Sequence, residues 1–378
     1  MNNCPRILSV IEEYIGHRTY GMLMRDHFSR VESCKIDFHW FNEDRELHTR
    51  IFNRLLSYYS SNPWVQRQNI DLHLFRFQLG FAYMARRVMQ RRLAQVQYSG
   101  LHLHTQTIAL LGVDLMRQYP TLISIDRTTY QVARERTDPK FHWTYAPNIH
   151  FEKQVFQTAK HILSFSEVAR QSVIADYGVA PEKVTTVYPG VDINQLKPAT
   201  IKPNHDRYNL LFIGADFERK GGYDVLEVFL ERFADRANLH LVTLAKITCD
   251  HPNVYIYNNV KAYTPEWLKL YHDADLFVMP TYSDCTPWVF FEAMAAGLPI
   301  VTTPINAIPE IVLQEKTGLL IEPGDRVALA QSIQHLIDRP ALRQEMSVNG
   351  RQRVEQHFSV QSHFEKLEAL LLDAALSR

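Results

Sequence analysis

Residues 275–303 read DLFVMPTYSDCTPWVFFEAMAAGLPIVTT. A short apolar run ends at Pro280, a polar loop follows, and a second run, PIVTT, starts at Pro299. Between them WVFFEAMAA predicts a helix. Thr286 is its expected N-cap, and Pro287 sits well at the first helical position. Gly297 ends it as the C′ residue. Two acids surround the helix start, Asp284 on the loop and Glu292 in the second turn. Helical side chains tilt toward the N-terminus, so Glu292 is expected to lean back toward Asp284. The first amides, those of Trp288 and Val289, point to the same spot with the positive end of the helix dipole. A phosphate suits such amides, and carboxylates suit sugar hydroxyls. Spacing alone also fits a chance pair with one acid merely solvated.

Strand, loop, helix and strand in that order form the unit of a parallel sheet covered by helices. The pattern recurs along the chain. RILSVIE, KIDFHWF, LHLHT, TLISID, HILSFS and KVTTVYP read as strands in the first half. YNLLFIG, LHLVTL, NVYIY, DLFVMP, PIVTT and GLLIEP do so in the second. So many strands suit two sheets. The polar, proline-bearing stretch at residues 190–207 reads as the linker. We expect an α/β protein of two Rossmann-like, doubly wound domains facing a central cleft. Residues 1–190 form the first, residues 191–360 the second, and 361–378 a C-terminal helix returning to the first. In such sheets ligands bind beyond the carboxyl ends of the strands.

The 378 residues balance 41 Lys and Arg against 41 Asp and Glu, so net charge points to no nucleic-acid partner. Four scattered cysteines have no metal-ligand spacing and no disulfide framework, which fits a reducing compartment. The opening MNNCPRILSVIEE has no signal-peptide pattern, and no apolar run approaches the length of a membrane span. The expected setting is cytoplasmic.

A second stretch, FIGADFERKGGYDVL, places Arg219 and Lys220 before two glycines that open a helix. Two cations at a helix N-terminus suit a diphosphate, and a solvated basic turn is the plainer alternative. The ERKGG loop, the acid-bearing helix with AMAAGLPIV, IPEIV and TGLLIEPGD together resemble a glycosyltransferase of family four. SFSEVARQSVIADYGVAPEKVTTVYPGVD is similar to the same family. The likeness is strong over about residues 150–360 and thinner before that.

The resemblance implies the GT-B fold, a nucleotide-sugar donor such as a UDP- or GDP-sugar, transfer with retention of configuration and no obligatory metal. It implies a glycan or lipid-linked hydroxyl acceptor. Carried onto this chain, Glu292 would bind the ribose and Asp284 the transferred sugar. Arg219 and Lys220 would neutralise the departing diphosphate. Thr286, Pro287 and Trp288 would sit near sugar and phosphate, Gly16 near the donor phosphates, and His104 beside the reacting sugar. His102, two residues earlier on the same strand face, is the weaker candidate.

The chain departs from the family at three places. Asp284 replaces the usual Glu, Ala215 follows Gly214 where Arg is common, and Asn306-Ala307 replaces Gly-Gly. These leave two rivals: a non-catalytic GT-B binding protein, and another GT-B enzyme such as a nucleotide-sugar epimerase. Asp273-Ala274-Asp275 resembles a metal-binding D-x-D, but it precedes its strand, away from the expected cleft. We read Asp275 as a strand-opening residue.

Residues 50–100 hold eight arginines and one acid, Asp71. Phe77, Phe81, Met84 and Val88 share one helical face, and Arg76, Arg86, Arg87 and Arg91 another. Residues 76–96 therefore read as a basic amphipathic helix with three possible partners: an anionic membrane surface, the domain's own sheet, or an anionic acceptor.

Overall fold

The computed structural model describes residues 4–13, 17–43, 46–199 and 206–376. It divides into two compact units. One holds residues 1–188 and 363–378, the other residues 189–362.

The first unit is built on a sheet of β1 (Arg6–Ile11), β2 (Lys35–Trp40), β3 (Gly100–His104), β4 (Thr121–Ile125), β5 (His161–Ser164) and β6 (Val184–Thr186). Their order is β2-β1-β3-β4-β5-β6, and every neighbouring pair is parallel. Strands buried on both faces read as continuous apolar runs, which is why these segments were legible. Leu8, Val10, Leu101, Leu103, Ile123 and Ile162 share one core with Phe81, Ala82, Met84, Ala85 and Val88 of the His73–Gln95 helix. Near the other face, Tyr20 of the His17–Phe28 helix meets His363 and Phe364 of the Val360–Leu376 helix. From His363 onward that last helix counts with the first unit.

This packing corrects the membrane reading of residues 76–96. The apolar face is occupied by the domain's own core, so no bilayer can cover it. The arginines are also engaged. Arg86 pairs with Asp114, Arg87 and Arg91 pair with Glu46, and Arg76 pairs with Asp71. Among the described residues no helix is long and apolar enough to cross a membrane.

The second unit carries β7 (Tyr208–Ile213), β8 (Ala237–Val242), β9 (Val254–Tyr257), β10 (Leu276–Val278), β11 (Ile300–Thr302) and β12 (Gly318–Leu320). Their order is β12-β11-β10-β7-β8-β9, again wholly parallel. The Trp288–Ala295 helix is apolar nearly all round, and Phe290, Phe291, Ala293, Met294 and Ala295 are fully buried. Such a helix belongs inside a layered fold. It ends in a Schellman arrangement: Leu298 N–H donates to Ala293 O at 2.8 Å and Gly297 N–H to Met294 O at 3.0 Å. Gly297 takes φ +74 there, as expected of the C′ residue.

In each sheet the strand order reverses at one place. In the first it lies between β1 and β3, in the second between β7 and β10. At such a switch point adjacent loops leave in opposite directions and open a crevice at the carboxyl ends of the strands.

Candidate functional site

Arg219 and Lys220 follow β7, and Asp284 follows β10, so they flank the switch point of the second sheet. One glycine makes the approach possible. Gly221 has φ +76, and a Cβ there would lie 2.3 Å from Pro280 O at the end of β10. Only glycine tolerates both demands. The two loops are then laced together. Tyr282 N–H donates to Arg219 O at 2.9 Å, and Arg219 Nη1 donates to Ser283 O. Arg219 Nε also donates to Asp216 Oδ2 at 2.9 Å, so this guanidinium braces the loop.

Lys220 Nζ forms an ion pair with Asp284 Oδ2, and each side chain is only 14% exposed. The sequence reading gave the two residues separate partners, a diphosphate and a sugar. In this structure they hold each other. Cys285 N–H donates to Asp284 Oδ1 at 3.1 Å, which fixes the carboxylate. Asn306 donates to Asp284 O at 2.7 Å and itself has φ +48. It adopts the left-handed backbone that asparagine accepts better than most residues, where glycine was expected. Sequence reading missed its contact with Asp284.

The helix start differs from expectation by one residue. Pro287, at φ −66 and ψ 113, is the N-cap, and no side chain caps the helix. The ψ of Pro287 lies outside the helical range, so Thr286 is one residue too early to reach the first-turn amides. Its hydroxyl oxygen is buried with no hydrogen-bond partner among the described residues. Buried polar atoms are normally satisfied, so this one is a candidate ligand contact.

Glu292 does not join the Lys220–Asp284 pair. It is 5% exposed, and Tyr271 O–H donates to its Oε2 at 2.7 Å. Burial pushes its carboxyl up to about 7, against the lowering effect of the Tyr271 hydrogen bond. Tyr271 lies on the Pro265–Asp273 helix, and no sequence motif marked it.

Asp275 opens β10 at the end opposite the switch point. Its Oδ2 accepts from Asn209 N–H at 2.9 Å, and Asp273 pairs with Lys269. Among the described residues no three His, Cys, Asp or Glu side chains cluster as metal ligands.

In the first unit, His104 ends β3 at its switch point with β1. It is fully buried, stacked on Tyr20 at 4.4 Å between ring centres. The His17–Phe28 helix, which follows β1, lays His17 and Tyr20 against the ring. His104 Nε2 meets His17 Nδ1 at 3.0 Å, while Nδ1 is buried with no partner among the described residues. Burial first, and then the neighbouring histidines, hold His104 well below the ordinary histidine range. His17 gave no signal of its own in the sequence. His102 is structural, because both ring nitrogens are held by hydroxyls, Ser9 Oγ at 2.8 Å and Ser124 Oγ at 2.9 Å. Gly16 lies outside the described residues.

Two family models match the chain. "Glycosyltransferase Family 4" covers residues 39–195, and "Glycosyl transferases group 1" covers residues 207–339. The chain belongs to the family 4, group 1 glycosyltransferases. Among curated relatives, the capsular polysaccharide biosynthesis glycosyltransferase CapM of Staphylococcus aureus is 26% identical over 58% of this chain and 63% of its own length. The D-inositol 3-phosphate glycosyltransferase of Corynebacterium diphtheriae is 24% identical over 60% of this chain and 58% of its own. The matched stretch thus spans about three fifths of these relatives.

Solved structures extend the likeness in fold to nearly the whole chain. Sucrose-phosphate synthase from Thermosynechococcus elongatus superposes with a TM-score of 0.74 at 16% identity, covering 99% of this chain and 100% of that one. Anabaena HepE in complex with UDP-glucose gives 0.67 at 16% identity, covering 97% and 99%. The fold of this family 4 member is therefore GT-B.

Proposed function

We propose that the protein transfers a sugar from a nucleotide-diphosphate donor, a UDP- or GDP-sugar, to a hydroxyl of a glycan or lipid-linked acceptor. Retention of anomeric configuration, hexosyl transfer, independence from an obligatory metal and a cytoplasmic setting belong to the same reading. The observation that carries it is the Lys220–Asp284 pair at the β7/β10 switch point.

A donor entering this crevice exchanges partners. Its diphosphate takes Lys220 Nζ, and Asp284 is released to accept hydrogen bonds from sugar hydroxyls. When the bond from the sugar to the diphosphate breaks, its electron pair leaves on the phosphate oxygen. Lys220 is placed to stabilise that charge, which a metal supplies in other enzymes. Arg219, braced by Asp216 and Ser283, adds positive potential and holds the loop. Thr286 Oγ1 supplies a further polar contact, and Glu292 accepts from the ribose. His104, whose Nδ1 is buried with no partner among the described residues, keeps the sugar-side role that the family resemblance gives it. The UDP-glucose complex of HepE supports the donor class, and the part of CapM in capsular polysaccharide biosynthesis supports a glycan acceptor.

The test is a panel of UDP-, GDP- and ADP-sugars with the purified protein in EDTA. Thermal stabilisation reports binding, and slow release of free nucleotide reports turnover. One nucleotide series is expected to stabilise the fold, with one of its sugars hydrolysed. Stabilisation without nucleotide release selects the non-catalytic reading. Analysis of the sugar product separates transfer from epimerisation. No stabilisation by any member refutes the donor assignment.

A further inference from the structure

The Leu47–Leu56 helix packs on the protein through Thr49, Asn53 and Leu56 and turns several of its apolar residues to solvent. Thr49 is fully buried. Gly80 of the His73–Gln95 helix comes so close that a Cβ there would lie 2.5 Å from Asn53 Oδ1 and 3.8 Å from Leu56 Cβ. Thr49, Asn53 and Leu56 therefore form the inner face. At 3.6 residues per turn, Leu47, Ile51, Arg54 and Leu55 fall on the outer one. Leu47 is 71% exposed, Ile51 52% and Leu55 70%. The chain beyond adds Tyr58 at 70%, Tyr59 at 53% and Trp64 at 56%. A row of exposed apolar side chains along one helix face, such as Leu47, Ile51 and Leu55, normally marks an interaction site.

The charge beside it has one sign. Residues 47–70 contain Arg50, Arg54 and Arg67 and no Asp or Glu. All three arginines are exposed, and none forms an ion pair among the described residues. The acid just before them, Glu46, is held by Arg87 and Arg91. Unlike the arginines of the His73–Gln95 helix, these three face solvent without an acidic partner among the described residues.

We propose that this face docks the first unit on an anionic lipid bilayer, with the Leu47–Leu56 helix lying in the headgroup plane. Leucine and isoleucine would enter the acyl boundary, Tyr58, Tyr59 and Trp64 the interface, and the arginines would meet lipid phosphates. Charge argues for a bilayer over a second copy of the chain. A two-fold contact through this patch would set the same arginines against each other. The inference does not depend on the transferase reading, because its assay measures binding alone.

The experiment is flotation of the full chain with vesicles of phosphatidylcholine, or of equal parts phosphatidylcholine and phosphatidylglycerol. Binding is expected only with the anionic vesicles, and it should weaken as salt is raised. Trp64 emission should shift to the blue on binding, and the shift should vanish in Trp64→Phe. The double variant Arg50→Gln/Arg54→Gln should bind about thirtyfold more weakly. Leu47→Gln/Leu55→Gln should lose binding while its thermal midpoint stays unchanged, since both side chains are exposed. Equal binding to neutral vesicles, no binding at low salt, or full binding by the leucine variant overturns the proposal. A concentration-dependent dimer abolished by the leucine variant also overturns it, in favour of a second copy.

Discussion

Glu292→Gln tests the buried carboxyl directly. In the folded chain this group titrates at about 7, against an ordinary value of 4.5. The unfolded chain therefore gives up its proton first. Between the two values the native state binds one proton more, so stability falls as pH rises. The contribution is complete below about 4.5 and is lost as pH passes through about 7. That interval, at about 1.4 kcal/mol per pH unit, is worth about 3 kcal/mol. Glutamine keeps the shape and still accepts from Tyr271, but it does not titrate.

Urea unfolding of both proteins from about pH 4.5 to about pH 8 isolates the effect, because every other titrating group cancels in the difference. The variant should gain about 3 kcal/mol on the native protein across this range and then level off. In a domain of this size that is about 6–12 °C in thermal midpoint. A constant offset at all pH values would refute the argument. It would mean that the carboxyl is already ionised in the fold and that its burial is not dehydrating.

Three further outcomes follow from the same geometry. If ribose hydroxyls bind the ionised form of Glu292, affinity for the stabilising nucleotide should rise about tenfold between about pH 6 and pH 8. Calorimetry should find no such rise in Glu292→Gln. Lys220→Ala should lower kcat by about 10²–10³, with a smaller effect on donor KM, because its charge matters most as the diphosphate leaves. Unchanged turnover would remove Lys220 from the mechanism. Gly221→Ala should destabilise the second unit by more than about 2 kcal/mol, seen as a lower urea midpoint, because φ +76 and Pro280 O together leave no room for a methyl group.

The sequence by itself determined the elements and the class of the fold. Strands dehydrated on both faces must be apolar throughout, so β1 and β10 are visible as runs of Leu, Val, Ile and Phe. Gly297 was legible because a helix stop in the left-handed region selects glycine locally. Asp284, Lys220 and Arg219 were singled out because each lies at the carboxyl end of a strand, a position that can be read along the chain.

Only the tertiary structure decided what these residues face. Lys220 and Asp284 are 64 positions apart, and their pairing depends on β7 and β10 being neighbours at the switch point. The raised titration of Glu292 comes from burial, which outweighs the lowering hydrogen bond from Tyr271, and neither can be read from its neighbours in sequence. His102 and His104 look alike as alternate residues of one strand, yet Ser9 and Ser124 occupy both nitrogens of the first and leave the second with an open Nδ1. Helical periodicity marked residues 76–96 as amphipathic but could not say what covers the apolar face. The core covers it, and the uncovered apolar face belongs instead to the Leu47–Leu56 helix. Local propensity sets which residues share a face. The free energy of burial, summed over the whole fold, sets which face is turned inward.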